Sequence, residues 1–160
     1  MASNDLTKAV PKLQDFVHKL KEEAKKRYNL DVIVTNVSRD IIEQAALYAQ
    51  GRKLLSEVNK IRKVAGLPPI SAKENKYCVT WTMKSKHIID LTDNSPNNDL
   101  SHAVDIAIVK NGKISWDIKA DVNKDGKEDY LQIGHLALEI DPSIEGGWRW
   151  RKADYPHYQV

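Results

Sequence analysis

Five histidines are scattered through this chain, and three of them stand in non-helical segments beside acidic residues. Ser85-Lys-His87 ends a strand-like stretch after Trp81, Ser101-His102-Ala-Val-Asp105 enters a second, and Asp154-Tyr-Pro-His157 lies almost at the C-terminus. Two imidazoles and one carboxylate, brought together by a sheet, make a three-ligand zinc site with its fourth position open for water. A further carboxylate beside such a site can serve as general base on that water. Composition alone leaves the plainer alternative open, in which each histidine is a surface or hydrogen-bonded structural residue. In the last motif Pro156 fixes its own φ and restrains Tyr155, so a base and a ligand can share one stiff segment. The competing account of Asp154 is a turn carboxylate ahead of a proline.

A second arrangement is built of oxygen ligands. Asp121, Asn123, Asp125, Lys127 (through its backbone carbonyl) and Asp129 follow the spacing of an EF-hand calcium loop, with Gly126 at the sharp turn. Gln132 occupies the twelfth position in place of the bidentate Glu, so Ca2+ would bind weakly or take a closing ligand from elsewhere. An acidic Asp-Gly turn leading into a helix explains the same residues without an ion. Any calcium there would order or regulate the loop rather than take part in chemistry. Arg39 offers a planar guanidinium able to clamp a carboxylate with two hydrogen bonds, or is an exposed arginine near a helix start. Cys78 continues a β-rich run with no helix N-terminus after it to lower its pKa, which favours a small buried apolar residue over a nucleophile.

These residues need a scaffold, and periodicity supplies one. Leu6, Val10, Leu13, Val17, Leu20 and Ala24 form the apolar stripe of an amphipathic first helix, with lysines and Glu22 on its other face. Asp31 to Thr35 is β-branched and reads as a buried strand. A second helix starts at Asp40, a cap with Glu43 three residues on. It runs to Ile61 with a break at Gly51, and Gly66-Leu-Pro-Pro69 ends it. Tyr77 to Thr82 and Ala103 to Val109 read as strands. Asn111-Gly112 between Ile106-Ala-Ile-Val109 and Ile114-Ser-Trp116 is a two-residue hairpin signal. Tyr130 to Ile140 reads as a third helix, Tyr155 to Val160 as a closing strand, and Pro69 to Lys76 and Asp90 to Leu100 as polar loops. Helices first and an antiparallel sheet later predict an α+β domain with N-terminal helices packed on a small sheet that carries the zinc site.

The 160 residues suit one domain, 1–160, and the mean hydropathy of −0.54 excludes a membrane-spanning helix. A single cysteine excludes an intramolecular disulfide and Cys-rich zinc sites. The net charge of +3 is mildly basic, and Lys25-Lys-Arg27 and Lys60 to Lys63 read as solvated helix faces. No nucleic-acid motif accompanies them. The N-terminus lacks the charged-then-apolar pattern of a signal peptide.

Taken together, Ser85-x-His87, Ser101-x-Ala103-x-Asp105 and Asp154-x-x-His157, in that order, resemble the zinc D,D-/L,D-peptidases of the VanY and phage-endolysin type, peptidase family M15. Ser38 to Gln44 and Ala46 to Arg52 are similar to a segment of the phage L-alanyl-D-glutamate endopeptidases, and Gly146-Gly-Trp148 also looks like the family. The resemblance runs from about Val32 to Val160. It implies one catalytic Zn2+ held by His87, Asp105 and His157, with Asp154 as general base. Arg39, Ser85 and Gln44 would contact the substrate, a bacterial peptidoglycan stem peptide, although Gln44 also reads as a plain helix-surface residue. Two departures stand out: Ser38 replaces the aromatic residue expected before Arg39, and a polar insertion, Asp90 to Leu100, separates His87 from Asp105. His102 is therefore the rival first ligand, and strand alternation favours His87 because His102 and Asp105 point to opposite faces.

The implied activity is hydrolysis of the L-Ala–D-Glu bond by a phage endolysin. A D-Ala-D-Ala carboxypeptidase is the alternative within the family. A non-catalytic, metal-stabilised wall-binding or virion module is the alternative outside it. The same resemblance leads us to expect a monomer without a separate wall-binding domain. It would be held in the infected host's cytoplasm until the membrane opens.

Overall fold

Pro11 lacks an N–H and carries a helix-compatible φ, and helix α1 (Pro11–Tyr28) starts there rather than at Leu6. Leu6–Lys8 forms a separate 3-10 turn capped by the Asp5 carboxylate. Asn29, in the left-handed conformation with φ 53°, stops α1 and returns its N–H to Ala24 and Lys25. The chain then enters β1 (Asp31–Asn36), in which Asp31 is exposed, Val32 is buried and the rest are half-buried, rather than a fully buried strand. The computed structural model describes residues 3–160.

Asp40 caps the next helix by accepting from the Glu43 N–H at 2.7 Å. The break expected at Gly51 divides this stretch into two helices, α2 (Ile41–Ala49) and α3 (Leu55–Val64). Gly51 causes the interruption. Its φ is +79°, and a Cβ there would lie 2.9 Å from both the backbone nitrogen and the sulfur of Cys78. Cys78 is accordingly half-buried against Gly51 rather than fully buried.

The remaining elements are β2 (Ala103–Lys110), β3 (Lys113–Ser115), α4 (Asp129–Ile140), β4 (Glu145–Gly146) and β5 (His157–Gln159). They confirm the hairpin: Asn111 and Gly112 both have positive φ, 50° and 73°. The antiparallel sheet has the order β1-β2-β5-β4, with β3 on the far end of β2. Tyr77 to Thr82 is not a strand. Its β-forming residues find no ladder, because strand propensity expresses packing against neighbouring strands and this segment has none. Tyr77, Val79 and Trp81 are instead exposed, at 65%, 54% and 62%.

Strand alternation splits β2 between two environments. Val104, Ile106 and Ile108 enter the core with Leu13, Phe16, Val17 and Leu20 of α1 and Ile133, Leu136 and Ala137 of α4. Each fully buried aliphatic or aromatic side chain contributes about 1.5–3 kcal/mol of hydrophobic stabilisation. Arg27 ties the two helices at their edge, donating to both carboxylate oxygens of Glu139 at 2.8–2.9 Å. Asp105 lies between core residues in sequence and so projects from the opposite face of the sheet. The core and the chemistry therefore occupy opposite faces of one strand.

Candidate active site

Sheet register assembles the centre of the site. In the β2–β5 ladder Asp105 pairs directly with His157, and in β1–β2 it pairs with Asn36, just past an irregularity between Val34 and Asn36. Such a bulge re-aims the side chains that follow it. Alternation then sends His157 and Gln159 to the Asp105 face, while Tyr158 enters the core beside Phe16.

His87 arrives from an irregular segment, and three local contacts place it. The Ser85 hydroxyl accepts from its N–H at 3.2 Å. Its carbonyl accepts from the Arg39 N–H at 2.9 Å, and the Ile89 N–H returns to the Arg39 carbonyl at 3.0 Å. The inserted loop is closed at its base, where the His102 N–H reaches the Lys86 carbonyl at 2.9 Å. Lengthening a closed surface loop costs little. The insertion thus leaves His87 and Asp105 adjacent.

The resulting cluster is tight. His87 Nε2 lies 3.1 Å from Asp105 Oδ1, His157 Nδ1 lies 3.0 Å from the same oxygen, and the two nitrogens are 3.2 Å apart. Among the described residues, His87, Asp105 and His157 are the group of histidine, cysteine and acidic side chains close enough to hold one metal ion. His102 is not part of it. For nitrogen and oxygen ligands about 2.0–2.1 Å from zinc, the edges of the tetrahedron are about 3.3 Å long. The observed separations fit that figure.

The outer ring nitrogens are also accounted for. His87 Nδ1 is 2.8 Å from the Val37 carbonyl and His157 Nε2 is 2.9 Å from Gln159 Oε1. Each outer N–H donates to an oxygen, the tautomer that would offer the inner nitrogen's lone pair to a bound ion. Asn36 donates to Asp105 Oδ2 at 3.3 Å. Asn36 and Gln159 carry no motif of their own. Gln159 was nonetheless findable, because it stands two residues from His157 on an alternating strand.

Charge follows geometry. Burial pushes Asp105 towards protonation, but its hydrogen bonds to His157 and His87 prevail and hold it well below the usual carboxylate range. Burial opposes the charged form of His157, yet the hydrogen bond to Asp105 outweighs it and raises the imidazole. Asp154 is raised by burial first and by the negative charge of Asp105 second.

The cluster opens into a cleft of about 820 Å³ lined by Arg39, Ser85, Asp154, Trp81, Trp116 and Trp150. Arg39 Nη2 stands 3.6 Å from Asp105 Oδ2, and its Nη1 donates to Gln44 Oε1 at 3.2 Å. Gln44 is fully buried, contrary to the helix-surface alternative, and is absent from the cleft lining. Its amide donates to the Thr80 hydroxyl at 3.1 Å and the Thr82 carbonyl at 2.7 Å. Gln44 thus pins the irregular 77–82 segment over the cleft. Trp81 there stacks under the Lys152 ammonium at 3.7 Å and lies 5.6 Å from the Arg52 guanidinium. The strand reading of 77–82 concealed this cleft wall. The loop bearing Asp121, Asn123, Asp125, Lys127, Asp129 and Gln132 contributes nothing to the cleft lining.

No family model matches the chain. It is 29% identical over 132 residues to the peptidoglycan L-alanyl-D-glutamate endopeptidase CwlK of Bacillus subtilis (strain 168), a match covering 82% of this chain. The chain spans about 61% of the length of that curated relative. Among solved structures, the crystal structure of the Serratia marcescens L-Ala D-Glu endopeptidase ChiX superposes with a TM-score of 0.53 at 17% identity. That superposition covers 98% of this chain and 83% of the other, and shows that the two share a fold.

Proposed function

We propose that this chain is a zinc-dependent peptidoglycan hydrolase that cleaves the L-Ala–D-Glu bond of bacterial stem peptides. The observation that carries the reading is the His87–Asp105–His157 cluster, whose ligand atoms stand 3.0–3.2 Å apart at the floor of an open cleft. The likeness to CwlK, a peptidoglycan L-alanyl-D-glutamate endopeptidase, supports the bond assigned.

His87, Asp105 and His157 would hold the zinc, two imidazoles and one carboxylate leaving a position open. When bound, zinc supplies a Lewis acid that polarises the scissile carbonyl and makes water acidic enough to attack near neutral pH. Asp154 accepts the proton that the attacking water loses and delivers it to the departing amine nitrogen. Its burial suits that exchange, since a raised carboxylate binds a proton more readily than an exposed one. Arg39 faces a substrate carboxylate of the D-Glu unit, held in place by Gln44. Ser85 lines the approach and holds His87 through its backbone. The three tryptophans wall the cleft with flat apolar surface that excludes water around an extended peptide. The similarity of the Ser38 to Arg52 segment to phage endopeptidases supports a lytic role for the enzyme.

Digestion of purified peptidoglycan, followed by mass spectrometry, tests the reading. The expected products are fragments with a new N-terminus at D-Glu. Asp154→Asn should lower kcat by at least about 100-fold while still binding zinc. Release of free D-alanine alone would reassign the activity to a carboxypeptidase. Unchanged peptidoglycan would reassign the protein to the binding modules.

A further inference from the structure

The acidic segment between β3 and α4 lies outside the cleft, and its use is independent of the reaction assigned above. Part of it is explained by a turn. The two carboxylate oxygens of Asp121 accept from the N–H groups of Asp125 at 3.0 Å and Gly126 at 2.8 Å. Gly126 has φ +84°. These contacts fold the loop with or without a ligand.

Two buried oxygens at its far end are not explained that way. Asp129 is 1% exposed; one of its carboxylate oxygens accepts from the Val122 N–H at 2.8 Å, and Oδ1 has no partner. Gln132 is 6% exposed; its Nε2 donates to Asp125 Oδ2 at 2.8 Å, and its Oε1 has no partner. A buried, unpaired oxygen acceptor is costly, and more so when it belongs to a carboxylate. Both belong to side chains hydrogen-bonded into the loop, at its ninth and twelfth positions.

We propose that the 121–132 loop binds a calcium ion through Asp121, Asn123, Asp125, the Lys127 carbonyl and Asp129, closed by Gln132 Oε1, the ion drawing together the Asp121, Asp125 and Asp129 carboxylates, which do not all stand within 4.8 Å of one another. An all-oxygen set on a flexible loop suits Ca2+, whereas Mg2+ demands a stricter octahedron and keeps its waters. Nitrogen-preferring zinc has no imidazole there. With a neutral amide at the twelfth position the site is weak, with Kd on the order of 10⁻⁵ to 10⁻³ M.

The ion would secure the start of α4. The Asp129 N–H already bonds the Ala120 carbonyl at 2.9 Å, and the next residue, Tyr130, donates its hydroxyl to the Ser115 carbonyl at 2.6 Å. Calcium would thus link the β2–β3 hairpin to the helix that covers the core.

Titration of the full chain with CaCl2, followed by calorimetry and thermal melting, tests the site. Wild type should bind one calcium and melt at a higher temperature. Asp125→Asn should weaken binding at least about tenfold, and Gln132→Glu, which supplies the missing carboxylate, should tighten it about tenfold. Absence of any response up to about 10 mM calcium overturns the proposal, as does an equal response to magnesium. Unchanged affinity in both variants overturns it as well.

Discussion

Gln159 illustrates how much of a metal site lies beyond its ligands. Its Oε1 accepts from His157 Nε2 at 2.9 Å and so fixes which ring nitrogen faces Asp105. Removing a partner of this kind typically lowers metal affinity by about 10–100-fold. We therefore expect Gln159→Ala to weaken zinc binding by that factor, measured by competition with a chromogenic chelator. The overall fold should be unchanged, because Gln159 lies on the sheet face opposite the core. Affinity equal to wild type would show that the tautomer is set elsewhere. The residues that meet in the cluster were legible because histidine and aspartate beside strands are chemically conspicuous. Asn36 was not, since a neutral amide acquires its role only from what it touches. Gln44 was open to two readings, substrate contact or helix surface, and the fold turned α2 inward and set its amide against Thr80 and Thr82.

At the scale of elements, the sequence patterns that describe a segment's own burial proved informative, and those that needed a partner did not. The α1 stripe, the Asn111-Gly112 hairpin and the alternation of β2 all follow from local periodicity and turn chemistry. Tyr77 to Thr82 has equally strong β character, but no strand lies beside it, and Gln44 binds it as a cleft wall. The loop leading into α4 carries a pH signature of its own. Burial raises the Asp129 carboxyl in the folded chain above its unfolded value of about 3.9. The stability linked to this group is thus fully present below that unfolded value and is lost as pH rises through the folded one. Asp129→Asn removes the loss, so the metal-free variant should melt higher than wild type at pH 7. The gain should vanish near pH 4. Melting curves in chelator at the two pH values check this, and a difference independent of pH contradicts it.

Across the whole molecule, the sheet separates stability from chemistry by strand alternation alone. Val104, Ile106 and Ile108 hold α1 and α4, and Asp105 on the reverse face meets two histidines from distant parts of the chain. His87 and Asp105 are 18 residues apart in sequence, and Asp105 and His157 are 52 apart. An ion bound to all three closes both spans, so its binding energy becomes folding energy. Because the ligand atoms already stand at 3.0–3.2 Å, zinc should stabilise the fold without reshaping it. At a free concentration about 1,000 times Kd, the linkage is worth about 4 kcal/mol. In a chain of this size that corresponds to a Tm rise of roughly 8–16 °C. Chelation should reverse the shift and leave the far-ultraviolet circular dichroism below the transition unchanged. His87→Ala should melt at one temperature with or without zinc. A wild-type Tm indifferent to zinc would mean that the cluster holds no ion, and the proposed hydrolytic chemistry would fail with it.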